Sequence, residues 1–222
     1  MHKIYGMVGW IGSGKDTAAD YLVQVYGFKK VSYATNLKDA VAAVFGWQRD
    51  LLEGNTAEGR EWRETVDTWW SRRLEIQDFT PRKALQYIGT ELFRNYFHPD
   101  IWIAGTERAI AQHLSAGHRV VTSDCRFPNE ISSIQSLGGA LVRIRRNNEL
   151  PSWFSCAQTQ NTATPSELVT LRENGQTMEQ CFPQVHASEW SWVGRKTQYD
   201  IDNSGSRLYL YQQLDAIGDD LR

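Results

Sequence analysis

Two hydrophobic patterns alternate along this chain. Short continuous apolar runs are typical of buried parallel strands, and they occupy residues 4–8, 28–33, 119–124, 141–145 and 198–202. Between these runs, apolar residues recur every three or four positions, which predicts helices at residues 17–23, 37–45, 81–93, 100–116, 131–137 and 208–217. Because predicted strands alternate with predicted helices, the chain is expected to adopt an α/β fold with a parallel sheet.

Two long stretches interrupt this alternation. Residues 47–77 are polar and charged, but their aromatic residues recur at helical spacing, so we expect one or two helices there. Residues 147–196 are rich in Asn, Gln, Thr, Ser and Pro and are weakly periodic, which is typical of a lid or a disordered insertion. We therefore expect one domain over residues 1–222, with a helical region at about 47–117 and a lid-like insertion at about 147–196.

The bulk composition limits the partners and the compartment. The 222 residues carry a formal net charge of −2, which gives no bulk electrostatic basis for binding nucleic acid. Cys125, Cys156 and Cys181 are too few and too poorly spaced for a disulfide framework or a C-x-x-C zinc site, which favours a reducing compartment. No apolar run nears the roughly 18 residues that span a membrane, and the chain enters its first strand without a signal peptide. We expect a cytoplasmic protein with no nucleic-acid or membrane partner.

A glycine-rich loop lies between the first predicted strand and the first predicted helix. Residues 9–15 fit the pattern G-x-x-x-x-G-K of a phosphate-binding loop in this context. Glycines let backbone N–H groups close around an anion, and the helix N-terminus adds partial positive charge. Lys15 would reach the outer phosphates of a nucleotide as a compact point charge. The alternative is a chance glycine turn.

The residue after the lysine departs from the usual pattern. A Ser or Thr whose hydroxyl holds Mg²⁺ normally follows, whereas here Asp16 follows Lys15 and the hydroxyl comes at Thr17. Asp16 could bind the metal directly or through water, or could act as a base on the acceptor. The alternative is that Asp16 is an ordinary residue at the start of a helix.

Other charged residues stand where a ligand could be bound. Asp124 and Arg126 follow the apolar part of a strand, and ligands of open parallel sheets bind at the carboxyl ends of strands; a solvated connection is the alternative. Lys38, Arg82 and Lys83 lie in first helical turns, where the helix dipole disfavours cations. This placement hints at an anionic partner, with a solvated lysine as the alternative for Lys38. Among the nine tryptophans most are expected to pack in the core or lid, while one or two could stack on a base.

Together with further blocks, these motifs resemble the phage-type deoxynucleoside monophosphate kinases, relatives of the adenylate and guanylate kinase group. The blocks are Gly-x-x-x-Ser-Gly-Lys-Asp-Thr ending at Thr17, residues 36–40, residues 82–92, the surroundings of Trp102, Asp124-Cys125-Arg126 with Glu130, the strand ending at Arg146, and residues 203–206. The resemblance implies a three-layer α/β/α P-loop kinase fold with a parallel sheet, a helical substrate-binding region and a lid insertion. It implies transfer of the ATP γ-phosphate to a deoxynucleoside monophosphate (dNMP), with Mg²⁺, in support of phage DNA replication in the host cytoplasm if the protein is phage-encoded.

The resemblance also implies roles for residues. ATP would be bound by Gly12, Ser13, Gly14, Lys15, Asp16, Thr17 and Arg146, and Mg²⁺ by Asp16 and Thr17. The dNMP would be bound by Lys38, Arg82, Lys83, Gly89, Trp102, Asp124, Arg126 and Glu130. Lys15, Asp16 and Arg126 would be catalytic, whereas His186 and Glu189 of the lid receive no role.

Two rival functions remain open at this level. The Ser-Gly-Lys-Asp-Thr form of the loop is shared with animal-type phosphomevalonate kinases, although the Gly89-Thr90 block favours the nucleotide enzyme. The other rival is a non-catalytic nucleotide-binding module that acts through a partner. A homodimer is compatible with all of these functions, but the sequence gives neither the oligomeric state nor the bases that are accepted.

Overall fold

The chain forms two compact units. A computed structural model describes residues 2–146 and 150–219. The first unit, which we call the core unit, comprises the described residues of Met1–Ser32 and Ala109–Arg222. The second, here the helical unit, is Tyr33–Arg108.

The core unit is built on a five-stranded parallel sheet. The strands are β1 (Ile4–Val8), β2 (Lys29–Val31), β3 (Val120–Thr122), β4 (Ala140–Arg145) and β5 (Tyr199–Asp202). Their spatial order is β2-β3-β1-β4-β5, and all four neighbouring pairs are parallel. In the central strand, Tyr5 is in register with Val121 of β3 and Ala140 of β4. The predicted parallel α/β sheet is therefore confirmed.

Helices connect these strands and make up the helical unit. In chain order they are α1 (Lys15–Tyr26), α2 (Thr35–Phe45), α3 (Arg49–Glu53), α4 (Ala57–Glu64), α5 (Thr68–Leu74), α6 (Pro81–Gln86), a π-helix (Tyr87–Phe97), α7 (Ile101–Ser115), α8 (Pro128–Ser136), α9 (Phe154–Thr162), α10 (Pro165–Glu173), α11 (Met178–Cys181), α12 (Ala187–Trp190) and α13 (Arg207–Asp219). Within the described ranges, no helix is both long and apolar enough to cross a membrane.

Helices cover both faces of the sheet. Tyr5 belongs to a buried cluster with Leu22 of α1 and Leu214 of α13. A side chain at the neighbouring Gly6 would instead meet Ile134 of α8 at 3.2 Å. Because successive strand residues point to opposite faces, α1 and α13 cover one face and α8 covers the other. This is the expected three-layer α/β/α arrangement.

The helical unit has its own aromatic core. Val41, Leu52, Phe79 and Ala84 are buried at its centre. Around them pack Phe45 and three tryptophans, with Phe45 stacked on Trp47 at a ring-centroid distance of 4.4 Å; the other two are Trp62 and Trp70. For these three tryptophans, packing in a core is confirmed.

The helix predicted over residues 81–93 is two segments of different winding. It starts as predicted, because Thr80 accepts a hydrogen bond from the Lys83 N–H and Pro81 occupies the first position. From Tyr87 to Phe97 the backbone is π-helical, with i→i+5 hydrogen bonds. Within this segment the carbonyl of Gly89 accepts a hydrogen bond from Trp102 Nε1 at 3.0 Å. The recurrence of apolar residues every three or four positions predicts a helix, but it does not predict this change from α-helical to π-helical winding.

The stretch from residue 150 to residue 196 is helical. Four short helices, α9 to α12, occupy it, and two of them begin with side-chain capping boxes, formed by Thr164 with Glu167 and by Thr177 with Gln180. Helices of four to nine residues are too short to show clear periodicity, which is why the sequence predicted none here. Residues 147–149 of the expected insertion lie outside the described residues.

Candidate active site

The glycine-rich loop joins the carboxyl end of β1 to the start of α1. Gly14 adopts φ of 99°, in the left-handed region, immediately before Lys15 opens the helix. Asn203, which follows β5, donates its side-chain amide to the carbonyl of Ser13 at 2.8 Å. A Cβ at Gly14 would collide with that amide group. The tight loop therefore requires glycine at this position, and Asn203 holds it from the far end of the chain.

Two polar side chains of the loop, Ser13 and Lys15, are placed where they could interact with an anion. Ser13 is fully buried, and its Oγ has no hydrogen-bond partner among the described residues. The Lys15 ammonium donates to the carbonyls of Gly9 at 2.7 Å and Trp10 at 2.8 Å, which are neutral groups. An unpaired buried hydroxyl and an ammonium held by carbonyls form a site ready for an anion, since each gains a stronger interaction from one.

The charge state of Lys15 reflects its neighbours. Burial, with the positive charge of Arg126, lowers the pKa of Lys15 to about 8. The carboxylates of Glu189, Asp16 and Asp124 oppose that shift. Phosphate groups would oppose it further, so an anionic ligand favours the protonated lysine.

Asp16 is bonded to residues outside its own helix. Its Oδ1 accepts hydrogen bonds from Ser123 Oγ at 2.6 Å and from Lys30 Nζ at 3.1 Å, and the side chain remains 72% exposed. Partial loss of hydration on its own would raise the pKa of Asp16, but the Ser123 hydroxyl and the Lys30 ammonium hold this pKa below its usual range. Asp16 is thus ionised near neutral pH. Asp16 therefore connects the first turn of α1 to Ser123 and Lys30, and a metal-binding role for it stays a prediction.

Two carboxylates organise the carboxyl end of β3. Asp124 accepts hydrogen bonds from Thr122 Oγ1 at 2.7 Å and Ser32 Oγ at 2.6 Å. Glu130 is buried, and its Oε2 accepts from the backbone N–H groups of Arg126 at 2.8 Å and Phe127 at 3.1 Å. These contacts position the backbone that carries Arg126. Direct contact of Asp124 or Glu130 with a substrate stays a prediction.

The segment that was expected to be a lid lies against the phosphate loop in this structure. The backbone N–H of Ile11 donates to Glu189 Oε2 at 3.2 Å, and Arg126 Nη1 lies 3.4 Å from Glu189 Oε1. The ring of Trp10 packs edge-on against Phe154 and beside Trp192, at centroid distances of 6.3 and 6.1 Å. The sequence singled out Glu189 without giving it a role and gave no signal for Trp10.

In the helical unit, two expected substrate cations already have carboxylate partners. Lys38 Nζ lies 2.6 Å from Glu53 Oε2, and Arg82 Nε is paired with Glu64. Lys83, by contrast, is exposed. A phosphate ligand would have to compete with or join the two pairs.

Gly89 and Trp102 lie together in the helical unit. Trp102 is buried, donates to the Gly89 carbonyl and packs against Phe93 at a centroid distance of 5.0 Å. A Cβ at Gly89 would meet Leu37 Cδ2 at 2.6 Å. The two residues therefore stabilise this part of the unit, and their contact with substrate stays a prediction.

Arg63 is a candidate that sequence reasoning missed. Its guanidinium packs directly on Gly54, and its buried Nε has no hydrogen-bond partner among the described residues. Burial, with the charge of Arg82, lowers the pKa of Arg63, while Glu64 and Glu53 oppose the shift. A half-buried arginine whose Nε lacks a partner among the described residues suits an anionic ligand. In the sequence it is one of several arginines in a polar stretch, and nothing distinguishes it.

The remaining candidates concern ATP and metal binding. Arg143 and Arg145 both pair with Asp200 of β5, whereas Arg146 is exposed and makes no ion pair with a described residue. Within residues 2–146 and 150–219, no cluster of three or more His, Cys, Asp or Glu side chains could hold a metal by itself. A Mg²⁺ ion bound with nucleotide phosphates needs one or two protein groups, and Asp16 with Thr17 fits that requirement.

The chain is similar to known proteins both in structure and in sequence. Among solved structures, dephospho-CoA kinase from Campylobacter jejuni covers 99% of this chain and 97% of its own, with a TM-score of 0.46 and 14% identity. Shikimate kinase from Bacteroides thetaiotaomicron covers 98% of this chain and 97% of its own, with a TM-score of 0.37 and 11% identity. No family model matches the sequence.

Two sequence relatives are more similar to this chain than these solved structures are. A protein of Acanthamoeba polyphaga mimivirus described as a deoxynucleotide monophosphate kinase is 33% identical in an alignment of 193 positions that covers 82% of this chain and 93% of that protein. The deoxynucleoside-5′-monophosphate kinase of Escherichia phage T5 is 26% identical in an alignment of 178 positions that covers 59% of this chain and 70% of that enzyme. This chain belongs to the deoxynucleotide monophosphate kinase family.

Proposed function

We propose that this protein transfers the γ-phosphoryl group of ATP to the 5′-phosphate of a dNMP and so forms ADP and a deoxynucleoside diphosphate (dNDP). The observation that carries this proposal is the phosphate loop, in which the Lys15 ammonium and the unpartnered Ser13 hydroxyl stand beside an ionised Asp16. Membership of the family supplies the acceptor class.

On the donor side, the loop would bind the ATP phosphates. Backbone N–H groups of the loop and the N-terminus of α1 attract anions, and Gly12, Ser13 and Gly14 supply the turn. Lys15 would leave the carbonyls of Gly9 and Trp10 for the outer phosphates, because a charged acceptor makes a stronger hydrogen bond than a neutral one. Arg146 is exposed at the end of β4 and would assist from there.

Asp16 and Thr17 would hold Mg²⁺, which neutralises charge on the donor phosphates when bound. Ser123 and Lys30 keep Asp16 ionised and fix the position of its Oδ1. Because the acceptor is itself a phosphate that is ionised near neutral pH, Asp16 has no proton to remove. The carboxylate therefore acts through charge and not as a general base.

On the acceptor side, the protein would supply cations. In phosphoryl transfer the protein contributes mainly positioning and electrostatic stabilisation. Arg126, which follows β3, would contact the dNMP phosphate. Roles in dNMP binding for Lys38, Arg82 and Lys83 stay predictions from the sequence. Guanidinium groups suit this role because they can bind a phosphate through two hydrogen bonds.

Water must be kept from the transferred group, because hydrolysis would waste ATP. The helices α9 to α12 would form the cover, and their contact with the loop through Trp10, Phe154 and Trp192 supports this role. Closure of such a segment on the bound nucleotides is the usual device in kinases of this size.

A coupled ADP-release assay tests the proposal. Wild-type protein with MgATP is offered each of the four dNMPs, the ribonucleoside monophosphates and an isoprenoid monophosphate, with Lys15→Ala as the control of impaired turnover. ADP release that depends on one or more dNMPs supports the function. Release with isoprenoid phosphates alone would point to a phosphomevalonate-type enzyme, and ATP binding without release under any condition would point to a non-catalytic module.

A further inference from the structure

We propose that the carboxylate of Glu189 is an internal stand-in for the donor phosphate, which holds the phosphate loop and Arg126 until ATP displaces it. This inference rests on the proposed function, because it concerns the same phosphate loop. It assigns Glu189 as a positioning residue that couples donor binding to the release of an acceptor-binding arginine.

The first observation is the contact with the loop. Glu189 Oε2 accepts a hydrogen bond from the Ile11 backbone N–H at 3.2 Å. Backbone N–H groups of such loops are the donors that bind nucleotide phosphates. A carboxylate on one of these donors occupies a position that an anionic phosphate oxygen would take.

The second observation is that the same carboxylate reaches the arginine. Arg126 Nη1 lies 3.4 Å from Glu189 Oε1 and 3.4 Å from Ser188 Oγ. One side chain thus bridges a donor-site amide and a residue proposed to bind the acceptor phosphate.

The third observation is that the backbone of Glu189 is anchored while its side chain is not enclosed. Trp192 Nε1 donates to the Glu189 carbonyl at 2.8 Å, and the Trp192 ring is buried beside Trp10. The Glu189 side chain is 22% exposed. The carboxylate can therefore leave by side-chain rotation, while α12 stays against the loop.

The ATP phosphates would displace the Glu189 carboxylate because both groups are negatively charged. A triphosphate and a carboxylate repel each other strongly at hydrogen-bonding distance in a partly buried site. When ATP enters, Glu189 must leave the Ile11 N–H, and Arg126 then loses its carboxylate partner and can bind the acceptor. Glu189 consequently weakens ATP binding in the free protein. A carboxylate that instead bound Mg²⁺ would strengthen the binding of MgATP.

Calorimetric titration distinguishes these roles. ATP and inorganic tripolyphosphate are titrated without Mg²⁺, and then ATP with Mg²⁺, into wild-type protein, Glu189→Gln and the control Glu179→Gln. Glu179 is also a carboxylate of the 150–196 segment, but it contacts Gln160. We expect Glu189→Gln to bind both ligands about three- to tenfold more tightly, with and without Mg²⁺, because a modest charge-assisted contact is removed. Glu179→Gln should bind as the wild type does.

The outcomes separate this inference from the proposed function. If wild-type protein binds the ligands but Glu189→Gln binds them equally or more weakly, the stand-in role is wrong while the kinase proposal stands. Weakening only in the presence of Mg²⁺ would make Glu189 a metal ligand. If the wild type binds neither ATP nor tripolyphosphate, both proposals fail. Glu189→Ala is the second variant should the glutamine form not fold, and it carries the same expectation.

Discussion

Ser123 Oγ donates a hydrogen bond of 2.6 Å to Asp16 Oδ1 and thereby links the end of β3 to the first turn of α1. Lys30, which follows the first helix, donates to the same oxygen at 3.1 Å. Three segments of the core unit thus fix one ionised carboxylate next to the phosphate loop. This arrangement explains why an acidic residue can stand where a hydroxyl is usual, since its position and charge state are both controlled.

Replacement of Asp16 by Asn tests the metal role. Asn retains an oxygen for Ser123 but has no charge, so we expect the Mg²⁺ requirement of turnover to rise by roughly 10–100-fold, as for loss of a group that orients a bound metal. Mg²⁺ titrations of the initial rate measure this, with thermal unfolding as the check on stability. Ser123→Ala keeps the carboxylate and should have a smaller effect. Unchanged titration curves for Asp16→Asn would reduce Asp16 to a helix-start residue.

Replacement of Lys15 by Ala tests the loop. Lys15 acts on charge that develops during transfer, so its loss should lower kcat by about 10²–10³-fold while the protein remains folded. Steady-state rates and circular dichroism provide the two readouts. Lys3→Ala is the matched control, because Lys3 is an exposed lysine immediately before β1. Activity near that of the control would contradict the phosphate-loop interpretation.

The lowered pKa of Lys15 predicts a pH dependence of ATP binding. In the free protein Lys15 loses its proton as pH rises through about 8, while bound phosphates favour the protonated form. ATP binding above this pH must therefore take up a proton, and affinity should fall as pH rises from about 8. Calorimetry at pH 7 to 9.5 in buffers of different ionisation enthalpy measures both effects. Lys15→Ala should bind weakly at all these pH values and take up no proton from this group.

Arg82 and Arg126 are expected to bind the acceptor phosphate and not ATP. Each change to alanine should raise the KM for dNMP or depress turnover by about ten- to a hundredfold, the effect of losing a charge-assisted hydrogen bond. The affinity for ATP, measured without dNMP, should change far less. Arg126→Lys should retain only part of the dNMP-dependent activity, because lysine lacks the planar guanidinium group that can donate two hydrogen bonds to one phosphate.

The control for this pair is Arg72→Ala, which removes an exposed arginine from α5 of the helical unit. Loss of ATP binding with intact dNMP binding in either alanine variant would move that arginine to the donor side.

Replacement of Arg63 by Met distinguishes a role in substrate binding from a role in the stability of the fold. Its guanidinium has an unpartnered buried Nε and feels the charge of Arg82, so Arg63→Met should leave thermal stability unchanged or slightly raised. The same variant should raise the KM for dNMP if Arg63 binds the acceptor phosphate. A clear loss of stability with an unchanged KM would show that Arg63 is a structural residue.

The parts of this protein that sequence predicts well are those fixed by local chemistry. The run Ile4–Val8, the glycines before Lys15 and the Thr80-Pro81 start each specify a backbone conformation with few neighbours, and all three were correctly located. The four short helices after β4 were not predicted, because none is long enough to show a period.

Site contacts between distant segments escaped sequence reasoning. The ion pair of Lys38 with Glu53 and the bond from Ile11 to Glu189 depend on how the chain folds back on itself. Charge at a helix start led to the prediction that Lys38 contacts a ligand, but its partner Glu53 could not be read from a single sequence. Arg63 differs from its neighbouring arginines only through burial, which the local pattern does not encode.

The most direct test of the central claim follows the transferred phosphate itself. Wild-type protein is incubated with Mg²⁺, ATP labelled in its γ-phosphate and one dNMP at a time, and the products are separated. The account predicts that label appears in dNDP for at least one dNMP, in amounts equal to the ADP formed, and that Lys15→Ala slows this transfer by about 10²–10³-fold. Label that stays in ATP or appears only as inorganic phosphate with all four dNMPs would contradict it.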